Sequence, residues 1–146
     1  MKLKISPSME NYLETIYDLG LDGQIARVKD VANRLNVKMS SVTGALQSLA
    51  KSDMVHYTPY QNIVLTEKGE ELARLIHNRH RIITSFLTDV LGVEIEIAET
   101  DACKLEHVLS KETMNRLLNF MLNRKLINSS EKESIICLEE GTKEEE

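Results

Sequence analysis

Two short apolar stripes at helical spacing, Val28-Val31-Ala32-Leu35 and Val42-Ala45-Leu46-Leu49, are separated by little more than the turn Asn36-Val37. Neither segment is long enough to persist alone, because an isolated helix in water needs roughly 12–15 residues. Each must bury its stripe against the other and against a third element. The preceding segment supplies one: Ser8 is placed to cap a helix in which Met9, Tyr12, Leu13 and Ile16 recur at i, i+3, i+4 and i+7, ending near Gly20–Gly23. The second helix is expected over Arg27–Leu35 and the third over about Ser40–Ser52. Two β-prone runs follow, Val55-His56-Tyr57 and Ile63-Val64-Leu65, joined by the polar stretch Thr58–Asn62. Three helices and a hairpin in this order read as a winged helix-turn-helix.

The remainder reads as all-helical. Thr66 caps a long helix reaching about Leu91, with Leu72, Leu75, Ile76, Ile83, Phe86, Leu87 and Val90 facing inward and Gly92 stopping it. A fifth helix is expected over roughly Glu94–Leu109. Ser110 caps a sixth, whose stripe is Met114, Leu117, Leu118 and Met121. The fold class is therefore mainly α. Three parts are expected: a winged helix-turn-helix over 1–65, a helical domain over 66–128, and an acidic, flexible tail over 129–146.

Composition narrows the possible functions. Aromatic residues are only 4% and tryptophan is absent, which argues against stacking platforms for single-stranded nucleic acid. No apolar run approaches the roughly 20 residues of a membrane span, and Met1–Ile5 lacks the apolar core of a secretory signal. Two cysteines, Cys103 and Cys137, make no disulfide framework. Reduced thiols and a cytoplasmic location are expected, with no role assigned to Cys137.

The net charge of −5 conceals a local basic surface. Basic and acidic residues balance at 16 each over residues 1–128, and the excess of seven Glu over two Lys beyond 128 supplies the whole deficit. Between Gln24 and Lys51 stand Arg27, Lys29, Arg34, Lys38 and Lys51 against the single acid Asp30. Such a patch suits phosphate. In a helix-turn-helix the second helix enters the major groove, and its outward positions here are Lys38, Ser40, Ser41, Thr43, Gln47 and Lys51, with Gly44 among them. Hydroxyls and Gln can reach base edges or phosphates, while Lys neutralises phosphate. Arg27 and Lys29 are read as phosphate contacts. A solvated or protein-binding face is the competing reading; the basic cluster and the hairpin favour double-stranded DNA.

Downstream, Glu99, Cys103, Glu106 and His107 fall at i, i+4, i+7 and i+8, one face of a single helix if that helix runs on to Leu109. Carboxylate, thiolate and imidazole all bind divalent transition metals. By itself the run leaves two readings open, since a free cysteine is often a small buried hydrophobe. Asn11/Glu14 and His77/His80 are pairs three residues apart that polar helix faces produce without any ligand.

The run Pro7-Ser8-Met9-Glu10-Asn11-Tyr12-Leu13-Glu14-Thr15-Ile16-Tyr17 resembles the start of the diphtheria toxin repressor / manganese transport regulator family. So do Arg79-His80-Arg81 and Cys103-Lys104-Leu105-Glu106-His107-Val108-Leu109-Ser110, and the likeness spans about residues 7–123 in order and spacing. The resemblance implies a homodimeric, metal-activated regulator, usually a repressor of metal uptake, with a winged helix followed by a metal-binding and dimerisation domain. Matching positions imply Asn11, Glu14, His80, Cys103, Glu106 and His107 as metal ligands, with Glu99 where iron-type members place an ancillary ligand. His77 is off-motif and reads as a surface residue. This sequence departs from the family at Asn11 (Asp in the manganese type, Met in the iron type), at Cys103 (Glu in manganese regulators), and at Thr84 (Glu in the iron type). Gly44 stands where relatives carry a longer DNA-facing side chain. The thiolate favours Fe(II) first, with Mn(II) second because Glu14, Glu106 and Asn11 are hard donors.

The implied mechanism is a switch: ligands from helix one and from the helical domain hold one ion, and the dimer presents its two DNA-reading helices at a usable spacing. Leu105, Leu109, Met114 and Leu118 are expected in the dimer surface, with core packing as the competing explanation. Two rivals remain. One is a winged-helix regulator sensing a small organic ligand. The other is an enzyme with Cys103 as nucleophile and His107 as base, which lacks a Gly-rich loop or third partner. No enzymatic activity is expected.

Overall fold

The computed structural model describes residues 5–130. The expectation of a flexible acidic tail falls mostly on residues 131–146, which, with Cys137, lie outside the described residues. The chain forms two compact units, one ending at Arg74 and the other beginning at Leu75.

The first unit contains α1 (Pro7–Leu21), α2 (Val28–Leu35), α3 (Met39–Lys51), β1 (Val55–His56), β2 (Val64–Leu65) and the first turns of α4 (Glu67–Ser85). Helix α1 starts two residues earlier than expected. Ser6, rather than Ser8, caps it by accepting a hydrogen bond from the Met9 amide, with Pro7 in the first turn. Proline is pre-organised for that position. Asn36 closes α2 in the left-handed conformation, φ 53°, which asparagine tolerates better than most residues. The strands pair antiparallel, with Val55 opposite Leu65 and His56 opposite Val64. The Ile63 amide also donates to the Ala26 carbonyl at 2.9 Å, fastening the hairpin beside the entry to α2.

Leu13, Val31, Val42 and Leu46 are completely buried, and Ile16, Leu19, Leu49, Met54 and Val55 pack with them in one cluster. Each such side chain contributes about 1.5–3 kcal/mol through burial. The stripes read from sequence for α1, α2 and α3 are therefore the faces that meet in this core.

The entry to α4 is fixed by a dense joint. The Thr66 hydroxyl donates to the Asp53 carbonyl at 2.6 Å and accepts from the Gly69 amide at 3.0 Å, while the Thr66 amide donates to the Met54 carbonyl at 3.0 Å. At Gly69 the helix lies so close to Met54 that a Cβ would collide with the Met54 carbonyl oxygen.

In the second unit, α4 continues into a single π-helical stretch, Phe86–Val90, where the Leu91 amide reaches back five residues to the Phe86 carbonyl. Gly92, at φ 70°, ends it in a conformation that costs glycine nothing. Then come α5 (Ile95–Leu105) and α6 (Lys111–Asn123), the latter capped by Ser110 accepting from the Thr113 amide. Helix α5 stops four residues short of the expected Leu109. Ile76, Ile82, Ile83, Ala98, Ala102, Met114, Leu118 and Met121 are buried at 2% exposure or less. Phe86 and Leu87 are only half-buried and Val90 is exposed, so the lower stripe of the long helix is not core as expected. Among the described residues, no helix is long and apolar enough to cross a membrane.

Gly69→Ala separates close packing from helix propensity. Propensity alone would stabilise α4 by up to about 1 kcal/mol. Collision with a backbone carbonyl is expected to outweigh that and destabilise the fold by about 1–3 kcal/mol. Urea denaturation checks the sign: a lowered midpoint is expected, and a raised one would mean that the joint can open.

Candidate metal centre and nucleic-acid face

Helix α5 packs through two alanines one turn apart, Ala98 and Ala102, both fully buried. Their small side chains let the helix approach its neighbours closely. Glu106, four residues further on, continues that inward line and caps the helix, its amide donating to the Ala102 carbonyl at 3.0 Å. The carboxylate is thereby carried into the unit with no side-chain exposure. One oxygen, Oε2, lies 2.8 Å from Nδ1 of His80 on α4. The other, Oε1, lies 3.2 Å from Nε2 of His107, whose side chain is 4% exposed, yet no well-directed hydrogen bond reaches it.

A buried carboxylate oxygen without a hydrogen bond is costly, because burying a charge requires both pairing and satisfied lone pairs. The imidazoles of His80 and His107, one beside each oxygen of Glu106, are ligand types that suit a divalent transition metal. Each imidazole binds metal through a deprotonated nitrogen, so protons would compete with an ion here. The residues present therefore fit the metal that the sequence implied.

The expected single stripe of four ligands is divided. Glu99 and Cys103 are exposed on α5, whereas Glu106 is buried. Glu99, Cys103 and His80 belong, among the described residues, to no set of three or more His, Cys or acidic ligand atoms gathered within 4.8 Å, whereas Glu106 and His107 do. Residues 99 and 103 each follow a buried alanine by one position, about 100° round the helix, whereas Glu106 stands at the C-cap, where α5 ends. His107 is buried because the chain leaves the helix at Leu105, where the Val108 and Leu109 amides both turn back to the Leu105 carbonyl. Thr84 is occupied locally, its hydroxyl donating to the His80 carbonyl at 2.8 Å. His77 is half-buried.

In the first unit, Asn11 and Glu14 stand one turn apart on α1. Asn11 is half-buried, and its carbonyl accepts from the Thr15 hydroxyl at 2.8 Å. Glu14 is 8% exposed within the buried run Tyr12–Ile16, a placement that a solvated helix face would not give.

The basic surface is also in this unit. Arg27 and Lys38 occupy the residues before α2 and α3, and both are exposed, as are Lys29, Ser40, Ser41, Gln47 and Lys51. Thr43 is half-buried and its hydroxyl donates to the Met39 carbonyl at 3.0 Å. Arg34 is engaged elsewhere, with Asp22 at 2.9 Å. Met39, exposed at the start of α3, was not among the residues the sequence singled out. Tyr60 is fully exposed at the hairpin tip with φ 65°.

The second unit also carries an apolar groove of about 480 Å³, lined chiefly by Phe86, Leu87, Val90, Leu105, Leu109, Leu117 and Phe120. Phe86 and Phe120 meet edge to face at 6.0 Å, and the Arg124 guanidinium lies 5.0 Å from the Phe120 ring centre. Of the four residues expected in a dimer surface, Leu105 and Leu109 line this groove. Met114 and Leu118 are core, at 1% and 0% exposure.

Comparison with known proteins agrees with both halves. Residues 4–63 match the iron dependent repressor N-terminal DNA binding domain, and residues 66–126 match the iron dependent repressor metal binding and dimerisation domain. An HTH-type transcriptional regulator of Methanocaldococcus jannaschii is 42% identical over 118 residues, covering 80% of this chain and 94% of that protein. The HTH-type transcriptional regulator MntR of Bacillus subtilis is 38% identical over 112 residues, covering 77% and 78%. Among solved structures, the manganese regulator SloR superposes with a TM-score of 0.70 at 29% identity, over 80% of this chain and 54% of that one. The T. acidophilum IdeR structure gives 0.68 at 27%, over 77% and 53%. The chain thus spans about half the length of these solved relatives. With the winged helix-turn-helix, the two histidines beside buried Glu106 and both domain matches in agreement, the chain belongs to the diphtheria toxin repressor / manganese transport regulator family of metal-dependent, DNA-binding transcriptional regulators.

Proposed function

We propose that this chain is a cytoplasmic, homodimeric repressor of metal-uptake genes that grips operator DNA when Mn(II) or Fe(II) is bound. The observation that carries the proposal is the Glu106 carboxylate, fully buried between His80 and His107 with one oxygen lacking a hydrogen bond. Glu106, His80 and His107 would hold the ion, and Asn11 and Glu14 from α1 would complete the set. When bound, the ion supplies positive charge that neutralises the buried carboxylates. In its absence these carboxylates lose that compensation, which favours any conformation that lets water reach them. DNA affinity then follows from the preference of these ligands for the DNA-competent form.

The choice of metal rests on which donors are gathered. Preference for Fe(II) rests on the Cys103 thiolate, which is exposed. The remaining imidazoles and carboxylates accept Mn(II) and Fe(II) alike. A relative described as the manganese regulator, SloR, supports placing Mn(II) first. Cys103 and Glu99 would form at most an outer, secondary ligand pair.

On the DNA side, Ser40, Ser41, Thr43 and Gln47 would face base edges, while Arg27, Lys29, Lys38 and Lys51 neutralise phosphates. The apolar groove between Phe86 and Phe120 would be closed by a second copy, since a contiguous apolar face of this kind on a soluble protein marks an interaction site and the family domain is named for dimerisation.

Metal-free protein on a duplex from upstream of its own gene, followed by anaerobic fluorescence anisotropy with Mn(II), Fe(II) or chelator, tests the switch. Binding is expected with metal and not with chelator. Glu106→Gln keeps size but removes charge, and is expected to weaken metal-dependent DNA binding at least about tenfold, roughly 1.4 kcal/mol. Glu14→Ala should act in the same direction. Unchanged metal dependence in Glu14→Ala would remove α1 from the ligand set. Equal binding with and without metal would overturn the switch.

Leu109→Glu with Leu117→Glu tests the groove. Sedimentation equilibrium is expected to show monomer where the parent is dimer, with the far-ultraviolet circular dichroism retained. A dimer of unchanged affinity would place the interface elsewhere.

A further inference from the structure

Helix α3 carries a glycine that the fold does not require. Gly44 lies in the middle of this 13-residue helix and is exposed. Its backbone is not in the left-handed region, which among the described glycines is occupied by Gly23 and Gly92. A Cβ built at Gly44 would meet nothing within 4 Å. Neither backbone conformation nor close packing within the protein accounts for it. A mid-helix glycine is nevertheless unfavourable relative to alanine, because it gives up more conformational entropy.

The position of the glycine is informative. Val42, Ala45, Leu46 and Leu49 form the buried side of α3, none more than 4% exposed. Gly44 falls on the opposite side, one turn from Ser40 and from Gln47 and Ser48, all of them exposed. Ser40, Gly44 and Ser48 are among the shortest side chains available, so the middle of the outward face is low, with Gln47 and Lys51 rising at its far end. Such a surface lets a helix backbone come unusually close to whatever it faces.

We propose that Gly44 is a specificity-determining position, the point where the α3 backbone meets base edges in the major groove, kept bare so that Ser40 and Gln47 can reach them. The inference rests on α3 being the DNA-reading helix. A side chain at position 44 holds the helix away from the floor of the groove, and short donors such as Ser40 then lose their partners first. The cost falls on sequence readout, because phosphate contacts made by long Lys side chains adjust to a small displacement.

The test uses the full chain with Mn(II) and a duplex that it enriches from a randomised library, beside a scrambled duplex of the same length. Gly44→Ala is expected to raise Tm by about 3 °C. It should weaken binding to the enriched duplex by about tenfold and leave the scrambled duplex within about twofold. Binding to the enriched duplex within about twofold of the parent would overturn the proposal. So would a lowered Tm, which would give the glycine a folding role, or an equal loss on both duplexes. Gln47→Ala separates this from the wider reading. If it weakens the enriched duplex while Gly44→Ala does not, α3 reads DNA without needing the notch. If neither variant changes binding, α3 is not the reading helix.

Discussion

A charged carboxylate removed from water must find compensation where it lies, and in the second unit that demand falls on Glu106. Its side chain has no exposure, and its immediate neighbours are two imidazoles whose charge depends on their protonation. Ala98 and Ala102 bring α5 close enough to bury it, and α4 supplies His80. Apolar residues in these positions would give a more ordinary core. The proposed metal site gives these pairings a reason that stability does not, since buried ion pairs seldom improve on hydrophobic packing.

The two units answer different physical problems. In the first, short helices that could not survive alone share one core of aliphatic side chains, which leaves the polar side of α3 and the hairpin outside. Function there depends on what is not buried. In the second, the proposed metal-binding carboxylate is one the packing encloses, and some apolar residues remain outside, around the groove from Phe86 to Phe120. Because free energy couples binding events only through a difference between states, a regulator gains from keeping its sensing groups enclosed and its reading groups exposed.

Much of this was legible in the sequence. The three-helix-and-hairpin order, the Thr66 and Ser110 caps and the polar face of α3 all follow from local rules that the structure obeys. The departures have specific causes. Pro7 shifts the start of α1 to Ser6 because a proline is better placed inside the first turn than beyond a cap. Helix α5 ends early because periodicity cannot reveal a turn that continues an apolar pattern. Glu99 and Cys103 share a helical face with Glu106 by spacing, but Glu106 stands at the C-cap where α5 ends, so burial there does not follow the periodicity of the preceding turns. Ala98 and Ala102, small residues one turn apart and pointing at Glu106, were the available signal. In the long helix, Phe86, Leu87 and Val90 match a core stripe equally well whether the covering surface belongs to the same chain or to another.

The π-helical stretch at Phe86–Val90 gives this architecture an arithmetic of its own. A π turn takes in one residue more than an α turn, and one residue is worth roughly 100° of rotation. His80 lies before the stretch and Glu106 after it, so the direction in which the chain departs towards α5 depends on the number of residues present as well as on their chemistry. Within those five positions, substitution changes the lining of the groove, whereas loss or gain of a single residue would turn one partner away from the other. Spelling there can drift; length cannot.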